Sequence, residues 1–170
     1  MLDAVKSGDA REFAELIRQD PGFNVNMWLE EYGFTLLHIA CWEDKRSAVI
    51  PLLLAHPDID VNVKDQGGDT PFYIACIGCT SCVREMLKDS RVKVNEPFKD
   101  GSTPFYRAAV SGHLGIISRW IASGREMDVE NPGEWAMGAI GLTKKRGRTE
   151  VVTLPCWRDS RRTRWKLGTM

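Results

Sequence analysis

The residues in this chain of 170 best suited to chemistry are cysteines. Cys76, Cys79 and Cys82 have the spacing C-x-x-C-x-x-C, and Cys41 lies 35 residues before Cys76. Such spacing occurs in sites for zinc and for iron–sulfur clusters, where thiolates converge on one metal centre. Four thiolates brought together could therefore bind a metal, whereas thiols held apart would be structural or redox-sensitive.

A second group of residues is basic and aromatic and lies at the C-terminal end. From Lys144 to Met170 there are nine Lys/Arg and two Asp/Glu, a net charge of +7, whereas residues 1–143 carry 14 basic and 21 acidic groups, a net of −7. Such a run could bind nucleic acid or an anionic membrane surface, or serve as a nuclear localisation signal. The alternative, which we favour, is the solvated polar cap of a helical array. The group comprises Lys144, Lys145, Arg146, Arg148, Arg158, Arg161, Arg162, Arg164 and Lys166, with Trp157 and Trp165 between them.

Motifs of common catalytic and nucleotide-binding sites do not occur in the sequence. It contains no H-E-x-x-H, G-x-S-x-G, P-loop or G-x-G-x-x-G. His38 and Cys41 lie one helical turn apart, but His38 has counterparts in Tyr73 and Tyr106 in the repeats described next, which indicates packing rather than catalysis. We therefore predict no catalytic residue, no metal and no cofactor.

Three similar segments indicate the architecture. Thr35 to Ala40, Thr70 to Ala75 and Thr103 to Ala108 recur at spacings of 35 and 33 residues. A glycine lies two residues before each Thr, and a Val-Asn pair precedes each glycine. A repeat of this period is one supersecondary unit stacked on copies of itself, which favours an extended recognition surface over a catalytic pocket.

The repeated segment resembles the T-P-L-H-x-A signature of the ankyrin repeat, a unit of about 33 residues. Alignment on the signature Ala places it at Ala4, Ala40, Ala75, Ala108 and, more weakly, Thr143. The resemblance covers residues 1–157 and weakens at both ends, as terminal capping repeats do. It implies an all-α solenoid of about five units with short β-hairpin fingers. The expected single domain has units at 1–29, 30–64, 65–97, 98–132 and 133–157, followed by a loosely ordered basic tail at 158–170.

Helix pairs follow from Thr-Pro start signals and from apolar residues at helical spacing. Pro51 and Pro155 fall inside predicted second helices, so we expect a kink at Pro51 and an early helix end near Pro155. The predicted pairs are 2–7 with 9–18, 36–43 with 46–55, 71–78 with 80–88, 104–111 with 113–123, and 139–146 with 148–157.

Within this alignment the cysteines occupy structural positions. Cys76 follows a signature Ala, where the family has a small buried residue, and Cys79 replaces the glycine between the two helices of its unit. Equivalent positions in stacked units lie about 8–10 Å apart, too far for Cys41 and Cys76 to share a metal. Five cysteines without secretory context further indicate a reducing compartment. We therefore expect reduced, structural thiols.

Partners of this family usually bind the finger tips and the exposed face of the first helices. Large apolar residues at such positions indicate a protein partner, because aromatic side chains dominate interface hot spots. The alternative is that these side chains fold back between the fingers and stabilise the stack. Carried onto this chain, the resemblance implies a concave partner-binding face at Glu31, Tyr32, Phe34, Trp42, Glu43, Gln66, Asp69, Ile77, Lys99, Asp100, Ser102, Val110 and Trp135.

These observations predict a non-enzymatic protein-interaction module whose partner, a protein, binds the concave groove and finger tips. The acidic main surface would suit a basic partner surface. The alternatives are nucleic-acid or anionic-surface binding through the basic end, and a fragment of a larger scaffold or enzyme, since Met1 falls inside the first helix of unit one. With no apolar run long enough to span a membrane and no signal peptide, we expect a cytoplasmic or nuclear protein, monomeric by default.

Overall fold

A computed structural model describes residues 1–29, 32–128 and 147. Several predictions from the sequence lie outside these residues: the site positions Glu31 and Trp135, the last helix pair with Pro155, and the basic tail.

The described part of the chain is all-α, as predicted. No helix in it combines the length and the apolar character needed to cross a lipid bilayer. A 3₁₀ segment at Asp44–Val49 runs directly into α4. The helices are α1 Leu2–Ser7, α2 Ala10–Gln19, α3 Leu36–Ala40, α4 Ile50–Leu54, α5 Pro71–Ala75, α6 Thr80–Met86, α7 Pro104–Ser111 and α8 Leu114–Ser123.

The Thr-Pro pairs begin the first helix of their units, as the sequence predicts. Thr70 and Thr103 are N-caps, and each hydroxyl accepts a hydrogen bond of 3.2 Å from the backbone N–H three residues later. Each cap is followed by a proline in the first helical turn, where the missing N–H leaves no helical carbonyl unpaired. Helices α3 and α5 end at Ala40 and Ala75, three residues earlier than predicted.

The prediction of a kinked helix at Pro51 needs correction. The chain first forms the 3₁₀ segment Asp44–Val49, and α4 then begins at Ile50. Pro51 therefore lies in the first turn of a new helix rather than inside a longer one. The break removes the cost that an interior proline would impose, because a first-turn residue has no helical carbonyl to donate to.

A continuous core runs along the stack. The signature residues Ala4, Ala40, Ala75 and Ala108 are completely buried, and their small side chains let neighbouring helices approach closely. Helix α3 packs against α1 and α5, and α6 packs against α8. The fully buried Trp120 meets the Phe72 and Phe105 rings edge-on, with centroids 5.0 and 6.1 Å away, and so joins the helix pair α5/α6 to the pair α7/α8.

The asparagine of each Val-Asn pair links one unit to the next. The Asn62 side chain donates to the carbonyl of Arg91 at 2.9 Å and accepts from the N–H of Lys93 at 2.7 Å. Asn26 makes the same two bonds to Asp58 and Asp60, and Asn95 makes them to Glu126 and Asp128. One amide thus satisfies a donor and an acceptor in the next loop.

The loops before α3, α5 and α7 present the predicted finger tips. A backbone hydrogen bond of 2.9 to 3.0 Å closes each loop, from Leu29 to Phe34, from Asp65 to Asp69 and from Phe98 to Ser102. Gly68 has a φ of 91°, a conformation that L side chains rarely adopt, so glycine is required there. The described parts of these loops form no continuous β-ladder, and their hairpin form stays a prediction.

Candidate protein-interaction surface

Four aromatic side chains converge on the second unit. Phe34 lies 6.0 Å from Tyr32 and 5.8 Å from Trp42 between ring centroids. The Trp28 ring lies beside Gly33, the residue between Tyr32 and Phe34, at 3.8 Å from where a Cβ on Gly33 would be. Trp28, Tyr32 and Trp42 are 61%, 65% and 55% exposed. We call Trp28, Tyr32, Phe34 and Trp42 the aromatic patch.

Two elements position this patch. The finger loop closes through the bond from Leu29 N–H to the Phe34 carbonyl, which places Trp28 and Phe34 on adjacent chain segments. Trp42 belongs to the turn after α3, and its N–H donates to the Ile39 carbonyl at 3.4 Å. The Phe34 ring also lies 6.0 Å from the buried His38 ring, so the patch rests on the first helix of its unit.

A shallow groove of about 260 Å³ runs beside the patch. Arg46 holds one wall by donating at 3.2 Å to both the Lys6 and Ile39 carbonyls, and it pairs with Glu43. A hydrogen bond from Lys45, with Arg46 nearby, keeps the pKa of Glu43 below its usual value, so this carboxylate is ionised at neutral pH. The groove is lined by Lys6, Phe34, Ile39, Trp42, Glu43 and Arg46.

The finger tips of the next two units are acidic. Asp65 accepts from the Asp69 N–H at 2.9 Å, and Asp100 accepts from the Ser102 N–H at 2.8 Å. Burial raises the pKa of Asp69 to about 6, Asp65 adds to the effect, and Arg107 opposes it. The Asp69 Oδ1 atom is buried without a hydrogen-bond partner among the described residues.

The residues of the predicted concave face differ in how much of each side chain is exposed. Tyr32, Trp42, Gln66, Ile77 and Lys99 are exposed, and Phe34, Glu43, Asp69 and Asp100 are half-buried.

Two predicted positions need correction, because Ser102 is only 2% exposed and Val110 only 6%. The Ser102 hydroxyl lies 3.1 Å from the Tyr73 hydroxyl in the interior, and Val110 belongs to the hydrophobic core. Neither side chain is available to a partner.

Two further exposed residues of this surface, Met27 and Trp28, are absent from the predicted face. Both follow Asn26 and are exposed, at 43% and 61%. A comparison within the chain could have found them, because the two residues after the equivalent asparagines are Val63 with Lys64 and Glu96 with Pro97. Large apolar side chains at these loop positions therefore occur only before α3 among the three repeats. Arg46 was missed as well, since its role depends on the 3₁₀ segment.

The cysteines also need correction. We expected reduced thiols throughout, whereas Cys79 and Cys82 form a disulfide. Cys79 is the N-cap of α6 and its Sγ accepts the Cys82 N–H at 3.2 Å, which holds the two Cα atoms 5.3 Å apart, within disulfide range. Cys41 and Cys76 are buried thiols, and burial raises the pKa of both. Nowhere in residues 1–29 and 32–128 are side chains grouped to hold a metal ion.

The comparisons with known proteins agree with the architecture. Residues 48–131 match the family described as ankyrin repeats, in three copies. The chain therefore belongs to the ankyrin-repeat family, as the repeated signature predicts. Ankyrin repeats generally mediate protein–protein interactions and are typically non-catalytic.

Three relatives illustrate the variety of proteins that carry similar regions. The chain is 42% identical over 85 residues to human SMC5-SMC6 complex localization factor protein 1, covering 49% of this chain and 8% of that protein. It is 32% identical over 90 residues to human transient receptor potential cation channel subfamily A member 1, covering 53% and 8%. It is 30% identical over 153 residues to alpha-latrocrustotoxin-Lt1a of Latrodectus tredecimguttatus, covering 88% and 10%. The chain thus spans a tenth or less of each relative.

Proposed function

We propose that this chain is a non-enzymatic module that binds a protein partner through the aromatic patch and the groove beside it. The observation that carries the proposal is the convergence of Trp28, Tyr32, Phe34 and Trp42, three of which are more than half exposed. Tyr and Trp bury large areas at small entropic cost and dominate hot spots. A patch of this kind gains most when an apolar partner segment covers it.

The charges around the patch indicate the rest of the partner. Residues 1–143 carry a net charge of −7, and Asp69 and Asp100 lie at the finger tips of the next units. A basic partner surface beside an apolar anchor would complement both features and speed association. The other exposed positions of the predicted concave face, Gln66, Ile77 and Lys99, would lie along the same face.

The number of units, the form of the fingers and the C-terminal tail are part of the same proposal. Five units over 1–157, hairpin fingers and a basic tail at 158–170 remain our interpretation of the sequence, which the family match over 48–131 supports for the central units. Location in the cytoplasm or nucleus and a monomeric state are also proposed.

The test is capture and titration with matched variants. Wild type and Tyr32→Ala/Trp42→Ala are compared as affinity baits, with Ser118→Ala/Arg119→Ala, exposed on α8, as the surface control. Since one hot spot contributes about 2 kcal/mol, the patch variant should bind a purified captured protein at least tenfold more weakly, and the control should bind like wild type. The name of the human relative makes the SMC5-SMC6 complex a first probe. Equal binding by a folded patch variant would refute the proposal.

A second candidate function rests on the net charge of +7 from Lys144 to Met170. Nucleic acid or an anionic surface bound there would be released steeply as salt rises, whereas an aromatic-centred complex would change little. Repeating the titration at 50 and 200 mM salt separates the two, because neutralising several phosphates costs orders of magnitude in affinity over about this range.

A further inference from the structure

The Cys79–Cys82 disulfide lies beside the turn that carries Trp42. The Cys82 sulfur is 3.5 Å from the Ala40 carbonyl oxygen and 3.6 Å from that of Glu43. The Cys79 sulfur is 3.3 Å from Asp44 Oδ1. Both sulfurs therefore face residues 40–44, which lie one unit away along the stack and include two residues of the groove wall.

The same turn is tied to α6 by a hydrogen bond between a side chain of the turn and a backbone N–H of α6. Asp44 Oδ1 accepts from the Ser81 N–H, between the two cysteines, at 2.8 Å. A change at Cys79 or Cys82 therefore reaches the turn both through the sulfurs and through the first turn of α6. Trp42 lies between Ala40 and Glu43 in the chain, so the chain on both sides of Trp42 is in contact with this site.

We propose that Cys79 and Cys82 are a reversible redox site, and that their state sets the order of the 40–44 turn and so the presentation of Trp42. The disulfide sulfurs can only accept hydrogen bonds, whereas thiols can also donate. Reduction creates two S–H donors facing the Ala40 and Glu43 carbonyls and the Asp44 carboxylate. The reduced form then holds the turn more firmly than the oxidised form.

The co-reactant is a dithiol. One thiolate of the dithiol attacks a sulfur of the pair, the Cys79–Cys82 bond breaks, and the sulfur that leaves takes up a proton. The second thiol of the reductant then displaces the sulfur that was attacked, which also takes up a proton. Two electrons and two protons pass to the protein, and the reductant becomes a disulfide. Oxidation reverses each step.

The surroundings indicate which sulfur reacts first. Both cysteines are buried, but Cys79, at 2% exposure, directly follows the exposed pair Ile77 and Gly78, whereas Cys82 is completely buried beneath the turn. Attack at Cys79 needs only local opening of the connection between α5 and α6, and it releases the Cys82 sulfur as the leaving group. The neighbouring Cys41 and Cys76 are buried, and their raised pKa values keep them as unreactive thiols at neutral pH.

The chemistry is tested by labelling the full chain. Trypsin releases residues 65–84, which contain Cys76, Cys79 and Cys82. Protein prepared without reductant is denatured in N-ethylmaleimide, digested and analysed by mass spectrometry. We expect one label, on Cys76, before dithiothreitol treatment and three after it, with a return to one in oxidised dithiothreitol. Three labels without reductant, or a pair that never reduces in the folded protein, would overturn the redox site.

The link to the turn is tested by hydrogen–deuterium exchange in the two redox states. Peptides covering 40–46 should exchange more slowly after reduction, by roughly fivefold if one hydrogen bond is gained, while peptides within 105–117 should not change. Cys79→Ala/Cys82→Ala should not respond to dithiothreitol. If that variant unfolds early, Cys79→Ser/Cys82→Ser keeps a donor at each position and should also be unresponsive. A change in labelling without a change at 40–46 would overturn the link.

The effect on partner binding rests on the proposed function, whereas the redox chemistry does not. The capture experiment is therefore repeated with oxidised and reduced bait, and we expect the reduced bait to bind more strongly. If labelling and exchange change but Tyr32→Ala/Trp42→Ala binds like wild type, the proposed function fails and the redox site stands. If binding needs Trp42 but labelling never changes, the redox site fails and the function stands.

Discussion

His38 shows how one buried polar side chain joins two repeats. Its Nδ1 accepts from the Thr35 N–H at 3.1 Å, and its Nε2–H donates to the Asp69 carbonyl at 3.1 Å. Burial lowers the pKa of His38, so the ring is neutral near pH 7. A neutral ring offers the one acceptor and one donor that these partners require.

Replacement of His38 by Ala should therefore be costly. The change removes a fully buried ring and leaves the Thr35 N–H and the Asp69 carbonyl without this partner. We expect a loss of about 3 kcal/mol in the free energy of unfolding, measured by urea titration. His56→Ala is the matched control, because the half-buried His56 side chain accepts a local hydrogen bond, from the Asp58 N–H at 3.3 Å. Similar losses for both variants would contradict the role given to His38.

Replacement of Asp69 should raise the free energy of unfolding, in contrast to replacement of His38. Its pKa is raised from 3.8 to about 6, so the folded state resists ionisation that the unfolded state accepts. Stability from this group is fully present below about pH 4 and is lost as pH rises to about 6. Asp69→Asn removes this pH-dependent loss of stability, because the amide does not ionise. Because Asp69 is half-exposed, we discount the shift and expect the variant to be on the order of 1 kcal/mol more stable at pH 7.

The comparison over pH is the control for Asp69→Asn. The difference in melting temperature between the variant and wild type should shrink as pH falls from 7 to 4, where both forms are neutral at this position. A constant difference would mean that the variant acts through packing and not through charge.

At the scale of the elements, the asparagine bonds between loops set the spacing of the units. Asn62→Ala removes two hydrogen bonds of 2.7 and 2.9 Å to the next loop. We expect a loss of about 2 kcal/mol, since each bond contributes about 1 kcal/mol. Asn24→Ala is the control, because the exposed Asn24 side chain accepts a local hydrogen bond, from the Asn26 N–H two residues on. Thermal unfolding should show little change for Asn24→Ala, and equal shifts would contradict the linking role.

Local signals determine most of the helices. Thr-Pro caps and apolar periodicity place α5 to α8 within a few residues, because both signals act within one helix. The burial of Ser102 depends instead on where Tyr73 of the preceding unit lies, which the local pattern does not contain. The Cys79–Cys82 pair was missed for a related reason. C-x-x-C spacing suits a disulfide and separate thiols equally, and the N-terminal turn of α6 decides between them.

The candidate surface was predicted only in outline. Tyr32, Phe34 and Trp42 form one patch because the loop before α3 meets the turn after α3. The repeat alignment predicts this patch, since it places all three residues on the concave face. Trp28 and Arg46 join it through the finger turn and the 3₁₀ segment, and these irregular elements carry weak sequence signals. The buried positions, Ser102 and Val110, both lie in the unit at 98–132, within the residues that match the family, so a good alignment does not ensure exposure.

For the whole molecule, the repeat architecture means that each unit depends mainly on its neighbours. Trp120 is the clearest case, since its ring is fully buried and contacts Phe72 of the preceding unit and Phe105 of its own. Its indole Nε1 is buried without a hydrogen-bond partner among the described residues. The contribution of Trp120 is therefore aromatic packing, offset in part by that unpaired donor.

This arrangement predicts local rather than global loss of structure. Trp120→Ala should cost about 3–5 kcal/mol, and hydrogen exchange should rise over 71–123 while α1 to α3 keep their protection. Trp120→Phe is the matched variant, because it keeps a ring against Phe72 and removes the unpaired N–H, so its loss should be much smaller. If exchange instead rose equally from Leu2 to Ser123, the described residues would unfold as one cooperative unit. The aromatic patch would then depend on Trp120, whereas a stack with neighbour coupling keeps the patch folded and able to bind.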